Sequence, residues 1–140
     1  MQRLAPLVGE WRIETSLGPA AAHAVFEWGL GGRILLQRTE IDVPEAPDAF
    51  CVISAGPRAG GFTQHYFDSR GVTRLYVMTF DDDIWTLRRE EPDFSPLEFA
   101  QRYVGALGGD GKTIRGRWDT RELGAADWTR DFDLSYVREA

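Results

Sequence analysis

The sequence predicts an all-β fold: an antiparallel up-and-down β-barrel of about ten strands, preceded by a short helical turn. Three observations carry that reading. Apolar and polar residues alternate with period two in short runs, turn-forming residues recur about every ten positions, and almost nothing shows helical periodicity.

Residues 2–9, QRLAPLVG, fit one helical turn, with Pro6 compatible with its start and Gly9 ending it. Strands are expected at 10–16, 22–29, 32–42, 50–56, 62–68, 72–80, 84–90, 97–106, 113–121 and 127–138. The connections contain SLGPAA, GLGG, VPEAPDA, GPRAGG, DSRG, DDD, EPDFSP, GGDGK and ELGAAD. Most are short and rich in Gly, Asp or Pro, each suited to turns for its own backbone reason. Short links imply antiparallel neighbours, and closing such a meander removes its exposed edges. No repeat, low-complexity tract or linker divides the chain, so residues 1–140 read as one domain.

Composition narrows function. The 140 residues carry 16 basic against 22 acidic side chains, a net charge of −6, and the basic set is almost all arginine, with Lys112 the lone lysine. That balance argues against nucleic acid and anionic membrane surfaces as partners. One cysteine, Cys51, rules out an intramolecular disulfide and any multi-cysteine metal site. The opening MQRLAPLVGEWRIE has no apolar run suited to a signal peptide or membrane span, so a cytoplasmic location is expected.

Period two sorts the side chains. The final strand places Trp128, Arg130, Phe132, Leu134, Tyr136 and Arg138 on one face, expected to be the inside. The ninth offers Ile114, Gly116, Trp118 and Thr120 inward and Arg115, Arg117, Asp119 and Arg121 outward. The eighth sends Leu97, Phe99, Gln101 and Tyr103 in, the first Trp11, Ile13 and Thr15, and the second Ala24, Phe26 and Trp28. Strands three to seven are apolar on both faces and leave their parity open; Trp85 with Leu87 is the inward choice in the seventh.

Gly9-Glu10-Trp11 opening the first strand, with Tyr136-Val137-Arg138 closing the last, resembles the calycin pattern of lipocalins and fatty-acid-binding proteins. The series LAPLVGEW, FEWGLGGRILL, YFDSRGVTRLYVMTFDDDIWTL, GDGKTIRGRWD and DWTRDFDLSYVR is similar to uncharacterised bacterial lipocalin-like domains, and more distantly to nitrobindin. The resemblance implies that Trp11 plugs one barrel end with Arg138 packed across it. A guanidinium over an indole contributes about 1 kcal/mol or more when desolvated. The loops at 17–21, 43–49, 69–71, 91–96 and 122–126 then surround the open mouth.

The expected ligand-binding residues are Phe26, His65, Trp85, Phe99, Gln101, Tyr103, Trp118, Trp128, Arg130 and Phe132, lining an aromatic cavity. Gln101 is its polar point, and Arg130 would meet an anionic group near the mouth. Nitrobindin-like haem binding needs a histidine in the closing strand; 128–138 contains none, so no haem or other cofactor and no metal is expected. Asp81-Asp82-Asp83 lacks the spacing of a calcium loop, and Gly29-Leu-Gly-Gly32 opens no helix. The leading reading is a binding protein for a small hydrophobic or amphipathic ligand. The alternatives are an isomerase, cyclase or hydrolase using His65, Tyr103 or an inner carboxylate, and a structural barrel filled by its own side chains. A homodimer is compatible with the sequence, and the catalytic residues of any enzyme are unassigned.

Overall fold

Backbone pairing closes a ring. The computed structural model describes residues 1–19 and 21–139. A 3-10 turn, Gln2–Leu7, precedes ten strands: Gly9–Thr15 (β1), Ala22–Gly29 (β2), Ile34–Ile41 (β3), Ala49–Ala55 (β4), Phe62–Asp68 (β5), Thr73–Asp81 (β6), Ile84–Arg89 (β7), Phe99–Leu107 (β8), Thr113–Glu122 (β9) and Thr129–Arg138 (β10). Each strand pairs antiparallel with the next, and β10 returns to β1 with Trp11 opposite Arg138 and Thr15 opposite Leu134. All ten expected strands form. The third starts at Ile34 because Leu30–Gly32 is a tight turn, with Gly31 and Gly32 at φ of 65° and 85°, where glycine carries no steric penalty. The eighth starts at Phe99, leaving Leu97 in the long connection that follows β7.

The closed end is built on one cation. The Arg138 guanidinium lies 4.1 Å over the Trp11 ring and donates to three carbonyls: Val8 at 2.7 Å, Pro6 at 2.6 Å and Gly111 at 3.0 Å. Trp11 is fully buried, and its indole N–H donates to the Leu7 carbonyl at 2.9 Å. Leu4 and Leu7 of the 3-10 turn are equally buried beneath the barrel floor. Arg3 fixes the same turn from outside by donating to the Phe80 carbonyl at 3.0 Å and stacking on Phe62 at 4.9 Å.

The inward faces of β1, β2, β8 and β9 are as period two requires. In β10 the expectation fails halfway. Arg130 pairs with Asp119 but Phe132 pairs with Trp118, so one extra residue, Asp131, interrupts the ladder. A β-bulge of this kind reverses side-chain parity on either side of itself. Phe132, Leu134 and Tyr136 therefore face inward, whereas Arg130 faces out, 60% exposed, and lies near Asp133 on the surface. Trp128, just before the strand, also lies outside, between Arg102 at 4.4 Å and Arg121 at 5.1 Å.

Two glycines shape the interior. A Cβ on Gly105 would come within 2.8 Å of the Tyr103 hydroxyl, and one on the paired Gly116 would collide with the same ring. Tyr103 lies flat across this bare stretch of β8 and β9 and donates to the Leu134 carbonyl at 3.1 Å.

Two substitutions test this account by chemical denaturation. Trp11→Ala should cost about 3–5 kcal/mol, while Arg12→Ala on the outer face should cost under about 0.5 kcal/mol. Gly116→Ala should cost about 1–3 kcal/mol through overpacking against Tyr103. Gly109→Ala, in an open turn with nothing near its Cβ position, should stay within about 0.5 kcal/mol.

Candidate functional site at the open rim

The lower half of the barrel is solid. Trp85 packs against Tyr103 at 5.3 Å, Tyr136 at 5.5 Å and Phe26 at 5.9 Å, and Tyr136 reaches Trp11 at 6.4 Å. Mostly edge-to-face contacts at these spacings fill space efficiently. Phe26, Trp85 and Tyr103 are each only 1% exposed, so these three are core and do not line a cavity. Burial pushes the Tyr103 phenol well above its ordinary range, so it stays neutral, with its hydroxyl engaged by the Leu134 carbonyl. Cys51 is likewise raised to about 12 by burial and is unreactive.

Polar groups enter the barrel where the sequence left parity open. Gln64 donates to Gln37 at 3.1 Å across β5 and β3, and both are buried. Their partner rows settle the parity of β5: Phe62, Gln64 and Tyr66 point in, so His65 points out. His65 lies on the outer wall, stacked on Phe67 at 6.3 Å and tilted toward Phe94 at 6.5 Å. It supplies nothing to the interior.

Toward the mouth the inward face becomes wetter. Tyr103 contacts Trp118 at 5.3 Å, Trp118 contacts Tyr76 at 5.7 Å, and Tyr76 contacts Tyr66 at 6.3 Å. Trp118 and Phe132 sit side by side in register, half-buried, with Gln101 and Thr120 one rung above them. Of the ten expected site residues, Phe99, Gln101, Trp118 and Phe132 are thus brought together in the upper barrel. Phe26, Trp85 and Tyr103 lie beneath them as packing, and His65, Trp128 and Arg130 stand on the outside.

The wall itself opens here. The β6–β7 ladder ends at Val77 opposite Arg88, so Thr73 to Tyr76 have no β7 partner. Asp93, from the β7–β8 connection, fills in for the missing strand. Its carboxylate accepts from the Leu75 amide at 3.0 Å and from Arg89 at 2.7 and 2.9 Å, with both side chains of the ion pair buried. Beside this seam is a cleft of about 420 Å³, bordered by Val72 and Arg74 on one side and by Phe94, Pro96 and Phe99 on the other, with Arg89 also on its lining. Arg74 faces inward beside Tyr66 and reaches Gln101 at 3.3 Å; among the described residues it forms no ion pair. Neither Arg74 nor Arg89 stood out in the sequence, because the strands that carry them are apolar on both faces.

A larger hollow of about 720 Å³ takes in the β4–β5 turn, Leu75, Val77 and Thr79, with Arg58, Arg88, Glu90 and Glu91 at its borders. On the outer face of β8 and β9, Asp119 is buried between Arg102 at 2.8 Å and Arg117 at 3.1 Å, and Trp128 covers the group. Among the described residues no three side chains cluster as metal ligands, and no helix is long and apolar enough to cross a membrane.

No protein-family model matches the chain, and no curated protein does either. Among solved structures it is similar to Rv2717c from M. tuberculosis, with a TM-score of 0.66 and 18% sequence identity, over 99% of this chain and 96% of that one. A likeness at that identity shows the fold alone, and a ten-stranded closed barrel is consistent with the calycin-like architecture.

The ion pair at the seam carries a pH signature. Hydrogen bonds from Arg89, aided by the Leu75 and Ser95 amides, hold the Asp93 carboxyl well below the ordinary 3.8 despite its burial. The unfolded chain therefore binds this proton more readily than the native one. The stabilisation is complete above about pH 5 and is lost as pH falls through 4 and below. Asp93→Asn should be less stable than the parent at pH 7, and the gap between their melting temperatures should narrow at pH 3. A gap of constant size would remove the pair from the acid response.

Proposed function

We propose that this protein binds a small amphipathic ligand at its open rim, in the cleft beside the β6–β7 seam. The supporting observation is the juxtaposition of a 420 Å³ opening with apolar walls from Val72, Phe94, Pro96 and Phe99 and the half-buried aromatic residues inward of it. A cleft of that size, lined by apolar side chains and by the polar Thr73, Arg74, Arg89, Ser95 and Glu98 in about equal measure, suits a small amphipathic molecule. The site lies above the position expected from the sequence, because the lower barrel is occupied by Phe26, Trp85 and Tyr103. That filling also supports the structural reading for the lower half of the molecule. Arg89 is held by Asp93 and Ser95, and Arg74 by Gln101, contacts that favour the binding reading over the enzymatic one.

Isothermal titration calorimetry with a neutral probe, 2-(1-naphthyl)ethanol, tests the reading. Saturation at one site per chain is expected. Phe99→Ala should weaken binding by about threefold to tenfold, through loss of buried apolar contact. Phe26→Ala should lower the melting temperature and leave the affinity unchanged. Absence of saturable binding in the parent protein would overturn the reading in favour of a purely structural barrel.

A further inference from the structure

We infer that the ligand is a compact organic monocarboxylate, and that Arg74 with Tyr76 recognises its charged end; this inference rests on the rim-cleft reading above. The Arg74 guanidinium and the Tyr76 hydroxyl converge on a single neutral oxygen, Oε1 of Gln101, at 3.3 and 3.2 Å. Both distances sit at the long limit of a hydrogen bond. A carboxylate oxygen in that place would accept from the same two donors with charge assistance, which shortens and roughly doubles the strength of each contact. Gln101 is held on the inward face by its pairing with Thr120 and Arg89, so its amide occupies the position without neutralising the cation.

Charge accounting singles out Arg74. Arg89 is neutralised by Asp93, and Arg70 by Asp68, whose carboxyl stays lowered to about 2: burial opposes this, but hydrogen bonds from Arg70, Tyr66 and two backbone amides prevail. Arg74 forms no ion pair among the described residues, although Glu98 stands exposed on the same lining. One unpaired guanidinium beside two neutral partners matches a single negative charge. A phosphate dianion would call for a second cation or a cluster of backbone amides.

The filled floor limits the other end of the ligand. A long alkyl chain would need a tunnel down the axis, and Tyr103, Trp85 and Phe26 close it. The apolar walls of the cleft suit instead a short ring-bearing tail laid against Phe94 and Phe99.

Calorimetry with 1-naphthylacetate, its alcohol analogue 2-(1-naphthyl)ethanol, decanoate and 1-naphthyl phosphate decides the matter. The acid should bind about tenfold or more tightly than the alcohol at low salt. In Arg74→Gln that ratio should fall to near one while alcohol binding stays within about twofold, which also shows that the variant is folded. Arg74→Lys should retain an intermediate ratio, since it keeps the charge and loses the planar fork. Glu98→Gln should tighten the acid by about twofold and leave the alcohol unchanged. Equal binding of acid and alcohol by the parent, or a ratio untouched in both Arg74 variants, would overturn the charge assignment and leave the rim-cleft reading standing. Decanoate or the phosphate binding tenfold more tightly than naphthylacetate would overturn the compact monocarboxylate. Failure of every probe to bind would overturn the rim-cleft reading, and this inference with it.

Discussion

Arg138 over Trp11 is the contact from which the rest of the architecture takes its orientation. Its three nitrogens each donate to a carbonyl, from the 3-10 turn, the residue before β1 and the β8–β9 turn, while its flat face covers an indole. A lysine could not make this connection, because an ammonium has neither the planar fork nor the stacking face. By tying the last strand to the first, the contact closes the ring and decides which end is the floor. Everything wet must then gather at the opposite end.

That division explains the interior. Below the middle, large aromatic rings interlock with almost no solvent contact, and the glycine pair on β8 and β9 exists to let Tyr103 lie down. Above it, tyrosines, a glutamine and arginines replace the apolar set; Tyr66, Tyr76, Gln101 and Arg89 each have a polar partner, while among the described residues the Arg74 charge meets no carboxylate. The buried Gln37–Gln64 pair marks the boundary. Packing holds the lower half together and hydrogen bonding the upper, so the chemistry open to the two halves differs.

Much of the fold was legible in the sequence because turns and period-two alternation are local signals. The ten strands follow from them directly, whereas the Trp11–Arg138 plug was expected from the resemblance to the calycin pattern. The site was less legible, for two physical reasons. The bulge at Asp131 has no clear local signature, yet it turned Arg130 and Trp128 from the inside to the outside. Strands β3 to β6 present apolar residues on both faces, so nothing in their alternation said that Gln37, Gln64 and Arg74 point inward and His65 outward.

The early end of the β6–β7 ladder has a mechanical consequence. A barrel paired all the way round behaves as a hoop, and widening it anywhere breaks backbone hydrogen bonds in a cooperative row. Above Val77 and Arg88 this barrel is a split ring instead, held across the gap by the side chain of Asp93. Spreading the rim there separates one carboxylate from its donors and disturbs no strand pairing, so the upper wall can dilate while the floor stays rigid.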